Sequence, residues 1–214
     1  VLSIMTALNW RGISTMKNNF ILLELNHRNE IRADVNMAIK SLDITKIDHI
    51  NVKIDTGCPY TSIPVRKLGI SNEKASLMKQ IDCLNPLIRK EISFGVNDSK
   101  EKRESDKEKF RTGKYMELQS VTFQHRDLEI EFDGICLKKD FVKISYDRSG
   151  NILIGMDFLS QMDIHIGKSR ILRKTIFLAC PYASLNSDYF QTLNEHFNLQ
   201  DVSSKSFHNS PCSL

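Results

Sequence analysis

Asp55-Thr56-Gly57 is the segment of this chain best equipped for chemistry. It ends the alternating run His49-Ile50-Asn51-Val52-Lys53-Ile54 and opens the loop Cys58-Pro59-Tyr60-Thr61. A carboxylate delivered by a strand into a tight loop can serve as a general acid or base. The glycine lets the backbone turn close beside the reacting group. The threonine hydroxyl can bond backbone or carboxylate and fix the loop. Asp and Gly are also ordinary turn residues, and such a tripeptide arises by chance in roughly one chain in ten of this length. A second, independent signal is needed.

The run Asn151-Ile152-Leu153-Ile154-Gly155-Met156-Asp157-Phe158-Leu159 supplies it. Three apolar residues lead into a glycine, and Phe158, Leu159 and Met162 follow at helical spacing. Taken with the first motif, this run resembles the retropepsin-like aspartic peptidases. In that family an apolar-apolar-Gly strand passes behind the Asp-Thr-Gly loop and leads into a helix. The resemblance covers roughly residues 18 to 180.

It implies an all-β fold, a retropepsin-like closed β-barrel with a few short helices. It also implies roles, residue by residue. Asp55 matches the catalytic acid. Thr56, Gly57, Thr61 and Asp157 match supports of the active-site loop, with Thr61 and Asp157 pinning that loop to the helix start. Cys58, Leu153 and Ile154 match positions at the substrate cleft, Leu153 as wall and Ile154 as core. Two positions depart from the pattern. Pro59 and Met156 stand where viral members often carry an Asp and an Arg that pair, so both charges are absent together and neither is left orphaned. Cys58 stands in place of a small Ala and is expected to be an inert packed thiol.

Water activation by this chemistry needs two carboxylates sharing one proton, because like charges about 3 Å apart cannot both ionise. The chain has one Asp-Thr-Gly; Asp147-Arg148-Ser149-Gly150 has an inserted Arg and is not a second copy. A homodimer with Asp55 facing its symmetry mate completes the site. The expected activity is that of an aspartic endopeptidase on a polypeptide, with no metal and no cofactor. The alternative is a dimeric binding or regulatory module of the same fold with little turnover. A subtilisin-like reading of Asp-Thr-Gly fails, since no His-Gly-Thr and no Gly-Thr-Ser occurs.

Composition agrees with a single folded domain. The chain has 214 residues, 41% hydrophobic and 26% charged, and a net charge of +4. That charge is small and the cations are interspersed with acids, so no nucleic-acid partner is expected. No apolar stretch is long enough to span a bilayer, and no membrane partner is expected. Five cysteines, widely spaced and without Cys-x-x-Cys, suit a reduced, cytoplasmic setting.

The elements needed to place Asp55 read as follows. Phe20–Leu25, Ile31–Ile39 and His49–Ile54 are expected strands. Pro64–Leu68 suits a short helix with Gly69 after it, and Glu73–Leu84 a longer one. Ile88–Val96 is an expected strand. The segment 97–114, dense in both charges, reads as a solvated loop; the resemblance makes it the tip of a flap with arms near Ile92–Asn97 and Lys114–Thr122, with an insertion next to a shorter flap as the alternative. Val121–Phe123, Leu128–Phe132 and Phe141–Tyr146 are further strands, and a helix is expected over 157–162. A hairpin turning at Gly167–Ser169 and an amphipathic helix carrying Tyr189, Phe190, Leu193 and Phe197 complete the chain, the helix as a dimer support. The domain is expected over 18–182 and the helix over 183–200. Residues 1–17 read as an N-terminal extension, of vector origin or a misread upstream segment, and 201–214 as a flexible tail.

Overall fold

The computed structural model describes residues 19–95, 97–146 and 150–198. The expected extension and tail, Val96 and Asp147-Arg148-Ser149 lie outside the described residues. The chain is mostly β. In order it forms β1 (Ile21–Glu24), β2 (Ile31–Ile39), β3 (Ile44–Ile54), β4 (Ser62–Pro64), α1 (Asn72–Leu84), β5 (Lys90–Ile92), α2 (Lys100–Arg111), β6 (Val121–Phe132), β7 (Ile135–Ser145), β8 (Ile152–Ile154), α3 (Met156–Leu159), β9 (Met162–Lys168), β10 (Thr175–Pro181) and α4 (Ser187–Phe197).

The larger sheet has the order β2-β3-β8-β4-β7-β6-β5, and β2 also pairs with β6. Alternation explains how β2 sits in it: Ile31, Ala33, Val35, Met37 and Ile39 are all buried, and the residues between them are less so. These side chains join Val52, Ile54, Ile63, Val142, Ile144, Ile152, Ile154 and Phe158 in the main core. The smaller sheet has the order β1-β10-β9.

Several elements differ from the sequence reading. The two strands expected over Val121–Phe123 and Leu128–Phe132 are one continuous β6, which turns back at Asp133 and Gly134, both at positive φ, into β7. The expected strand Ile88–Val96 is restricted to Lys90–Ile92, and the expected helix over 157–162 ends at Leu159 because Met162 already enters β9. The second hairpin turns over residues 169–174, later than expected.

The charged segment is not a loop. Ser99 caps α2 by accepting from the Lys102 N–H at 3.2 Å, and Glu101 lies in its first turn. Pairs one turn apart, Lys107–Glu104 at 2.7 Å and Arg111–Glu108 at 2.6 Å, line its surface. At its far end Phe110 packs edge-on to Tyr115, against a small core of Leu118, Val121 and Phe123. The expected second flap arm over 114–122 is therefore a 3-10 turn at Tyr115–Glu117 and only then a strand.

The face of α4 expected to support a dimer is occupied within the chain. Tyr189 and Leu193 are buried against Leu178 and Cys180, and Phe20 and Phe197 pack around them. Only Phe190 of the expected stripe is exposed.

Candidate active site

β3 delivers Asp55 to the end of the sheet alongside β8. The two strands run parallel with Val52, Lys53 and Ile54 opposite Ile152, Leu153 and Ile154, and the Asp55 N–H donates to the Ile154 carbonyl at 3.0 Å. The chain then turns sharply. The Gly57 N–H donates to Asp55 Oδ1 at 3.0 Å and the Cys58 N–H to the Asp55 carbonyl at 3.1 Å. This is the local turn that Asp and Gly favour. The Asp55 side chain remains 33% exposed, with Lys53 Nζ 4.0 Å from Oδ2. The carboxylate is thus oriented through one oxygen and open to solvent.

The loop is clamped from behind by the second motif. The Met156 N–H donates to the Cys58 carbonyl at 2.7 Å, and the Asp157 N–H to the Pro59 carbonyl at 3.1 Å. The Thr61 N–H and Oγ1 each donate to Asp157 Oδ1 at 2.8 Å. Thr61 Oγ1 also accepts from the Gly155 N–H at 3.1 Å, deep in the protein. Gly155 is needed for a steric reason. A Cβ there would stand 2.5 Å from the Tyr60 carbonyl carbon and 2.8 Å from the Cys58 oxygen. The two motifs, nearly a hundred residues apart in the chain, form one hydrogen-bonded unit.

Every residue singled out by sequence falls in or beside this unit. Thr56 and Gly57 lie exposed at the loop tip, and Thr61 is buried. Cys58 is half-buried, its thiol donating to the Tyr60 carbonyl at 3.0 Å. Leu153 and Ile154 split between two faces: Ile154 is buried in the main core and Leu153 is half-buried on the opposite side.

Sequence reading missed two charged neighbours of the loop, Lys143 and Glu91. Lys143 Nζ lies 3.6 Å from the centre of the Tyr60 ring and pairs with Glu91. The available signal was alternation in β7: Lys143 falls between buried Val142 and Ile144 and must face the other way.

A second polar cluster lies elsewhere, between α1 and β6. Buried Asp82 meets His125 Nε2 at 3.0 Å, and Tyr146 donates its hydroxyl to the same carboxylate oxygen. Burial and that carboxylate together push the Tyr146 phenol well above its ordinary range. No group of His, Cys, Asp and Glu that could hold a metal occurs among the described residues. Nor, among them, is any helix long and apolar enough to cross a membrane.

No family model matches the chain, and no curated protein matches it. A solved structure titled as a retropepsin-like aspartic protease from Rickettsia conorii is similar at 14% identity, covering 75% of this chain and 92% of that one, with a TM-score of 0.42.

Proposed function

We propose that this chain is one half of a retropepsin-like aspartic endopeptidase, active as a homodimer. The observation that carries the reading is the exposed Asp55 carboxylate, oriented by the Gly57 N–H in a loop locked through Thr61 to Gly155 and Asp157. A turn that served only to reverse the chain would not need this second clamp. The β2–β6 pairing supports reading the larger sheet, between Ile31 and Ile154, as a closed barrel within a domain of roughly 18–182.

In the dimer, Asp55 and its symmetry mate share one proton across a water molecule. The ionised carboxylate takes a proton from that water as it attacks the scissile carbonyl. The protonated carboxyl donates a hydrogen bond to the carbonyl oxygen and stabilises the developing oxyanion. Thr56 braces the partner's loop, and Gly57 offers backbone to the substrate. The orientation supplied by the Gly57 N–H keeps one oxygen of each acid occupied, leaving the other for water.

The test is cleavage of a denatured protein mixture near about pH 5, where a carboxyl pair can hold one proton. Wild type should cleave, a pepstatin-type inhibitor should block it, and Asp55→Asn should be inert while sedimenting as the same dimer. Equal inertness of both proteins as confirmed dimers would refute the peptidase reading and leave the binding module.

A further inference from the structure

The loop after Asp55 is held on its inner side by Gly155, Met156 and Asp157, but its outer side also has an anchor. Strand register locates it. Lys53 lies opposite Leu153, Leu153 opposite Ser62, Ser62 opposite Lys143, and Lys143 opposite Gln124. Cross-strand partners share a sheet face, so one continuous row runs from the strand that delivers Asp55 to β6. Glu91 of β5 stands on the same face, since its partner Thr122 is two residues from Gln124.

Lys143 is the pivot of this row. Its side chain is only 11% exposed, and a cation so poorly solvated needs compensation. It has two sources. Its ammonium pairs with Glu91, and it lies over the Tyr60 ring at 3.6 Å, within cation–π range. Glu91 is oriented in turn by Gln124 Nε2, which donates to its other oxygen at 3.0 Å. Tyr60 itself is 47% exposed, an aromatic ring on the surface whose one face is covered by a nearly buried charge. A surface ring has no packing reason to attract a desolvated lysine. The arrangement makes sense as a tie between two segments that would otherwise move separately.

We propose that Lys143 is a positioning residue that couples the loop carrying Asp55 to the β5 strand, through Tyr60 on one side and Glu91 on the other. β5 is the edge strand from which the chain departs into α2. The tie therefore fixes the position of the acid-bearing loop relative to the β5 edge of the larger sheet, and on the peptidase reading it would set how the loop meets a bound polypeptide. The consequence for substrate rests on the peptidase reading; the tie does not.

The experiment separates the two. Amide hydrogen exchange is followed in peptides covering 56–62 and 90–95 of the intact chain. Lys143→Met keeps the alkyl stem and removes the charge; exchange should accelerate about tenfold in both segments, the size of a lost partly buried cation–π and ion-pair contact. Lys143→Arg and Tyr60→Phe keep the charge and the ring face and should stay near wild type. Tyr60→Leu should accelerate exchange at 90–95, and Glu91→Gln at 56–62, only when Lys143 is present. These surface variants report on the tie even if Lys143→Met does not fold. Exchange in each segment that is indifferent to a change in the other overturns the proposal. With a cleavable polypeptide, Lys143→Met should raise KM about tenfold with kcat within about twofold, a loss of shared ground-state and transition-state binding. A fall in kcat at constant KM would overturn the consequence for substrate binding and leave the tie to the exchange result. Absence of cleavage by wild type strikes the peptidase reading alone, because the exchange experiment still decides the tie.

Discussion

Thr61 and Asp157 stand 96 residues apart and meet through two hydrogen bonds of 2.8 Å to a single carboxylate oxygen. The same Thr61 hydroxyl accepts from Gly155. Thr61 commits its N–H and both the donor and acceptor roles of its hydroxyl to the join, and it is only 1% exposed. Removing one member therefore leaves buried groups without partners rather than simply deleting a contact. Asp157→Ala should cost about 3 kcal/mol, at the upper end for a charge-assisted pair with stranded donors. Asp157→Asn keeps an acceptor oxygen and should cost about 1 kcal/mol. Thr61→Val preserves volume and should fall between them. Urea midpoints at constant m-value measure all three.

Gly155 gives a sharper contrast. Its backbone conformation, φ −98°, is open to any residue. Alanine should still be poorly tolerated, because its Cβ would meet backbone atoms of Tyr60 and Cys58, which cannot swing away as side chains do. Gly155→Ala is expected to lose about 3 kcal/mol or more, as for overpacking against rigid neighbours. Gly57→Ala is a control from the same loop: its Cβ would lie 3.3 Å from Asp55 Oδ1, and a small shift of that side chain relieves it. Thermal unfolding should rank Gly155→Ala well below Gly57→Ala. Equal midpoints would mean that the loop and the β8–α3 corner are not one unit.

The parts that proved legible in sequence share a cause. Ile31–Ile39 reads correctly because one face of β2 is buried along its whole length, so alternation survives intact. The Asp55 loop and the Gly155 corner read together because each needs residue types that little else can supply. What stayed hidden depends on pairing across the fold. Nothing local to Asp82, His125 and Tyr146 announces that α1, β6 and β7 bring them to one point. Lys143, Tyr60 and Glu91 are likewise joined only by strand register. The charged segment misled for a different reason. Its composition suits either a solvated loop or a surface helix, and the deciding features are a cap at Ser99 and the docking of Phe110 beside Tyr115.

That cap is testable by itself. Ser99→Ala should destabilise α2 by about 1 kcal/mol, read as roughly fivefold faster amide exchange across Lys100–Arg111. The turn before it has a pH signature. The Asp98 carboxyl is held below its usual range by Lys102 and by the Gly95 N–H. A carboxyl lowered in the folded state contributes stability above its unfolded value, about pH 4, and loses it as pH falls. Exchange in α2, corrected for its intrinsic pH dependence, should therefore quicken in acid. Asp98→Asn should weaken that dependence, leaving the part due to Glu101 and Glu108, whose carboxyls are also held low, by the Glu101 N–H and Ser99 and by Arg111 respectively.

Tyr146 gives the opposite end of the scale. Its phenol ionises far less readily in the folded chain, from burial first and from the Asp82 carboxylate it bonds second. A proton held more tightly in the folded state adds stability that is whole below the unfolded tyrosine value, about pH 10, and declines as pH rises past it. Tyr146→Phe removes the hydrogen bond to Asp82 and should be less stable by about 1 kcal/mol at neutral pH. Because the phenylalanine variant has no proton to lose there, the gap should shrink and then reverse sign above about pH 10. Parallel curves for wild type and variant from neutral to alkaline pH would contradict the placement of that hydroxyl.

The last prediction follows from stoichiometry. The chain has one Asp-Thr-Gly, and the proposed reaction requires two acids on one water, so no monomer can turn over. Below the dimer dissociation constant the amount of dimer grows with the square of total protein. Initial rate plotted against concentration on logarithmic axes should therefore have a slope of two when dilute and one when concentrated. The bend should coincide with the monomer–dimer transition measured by sedimentation. Asp55→Asn mixed with wild type should form heterodimers that lack the shared proton pair and poison activity, so an equimolar mixture should keep about a quarter of the dimers as wild type at random pairing. A slope of one at every concentration, or activity in the mixture that simply tracks wild-type subunits, would mean that each chain carries a complete site and that the second acid lies elsewhere in the same molecule.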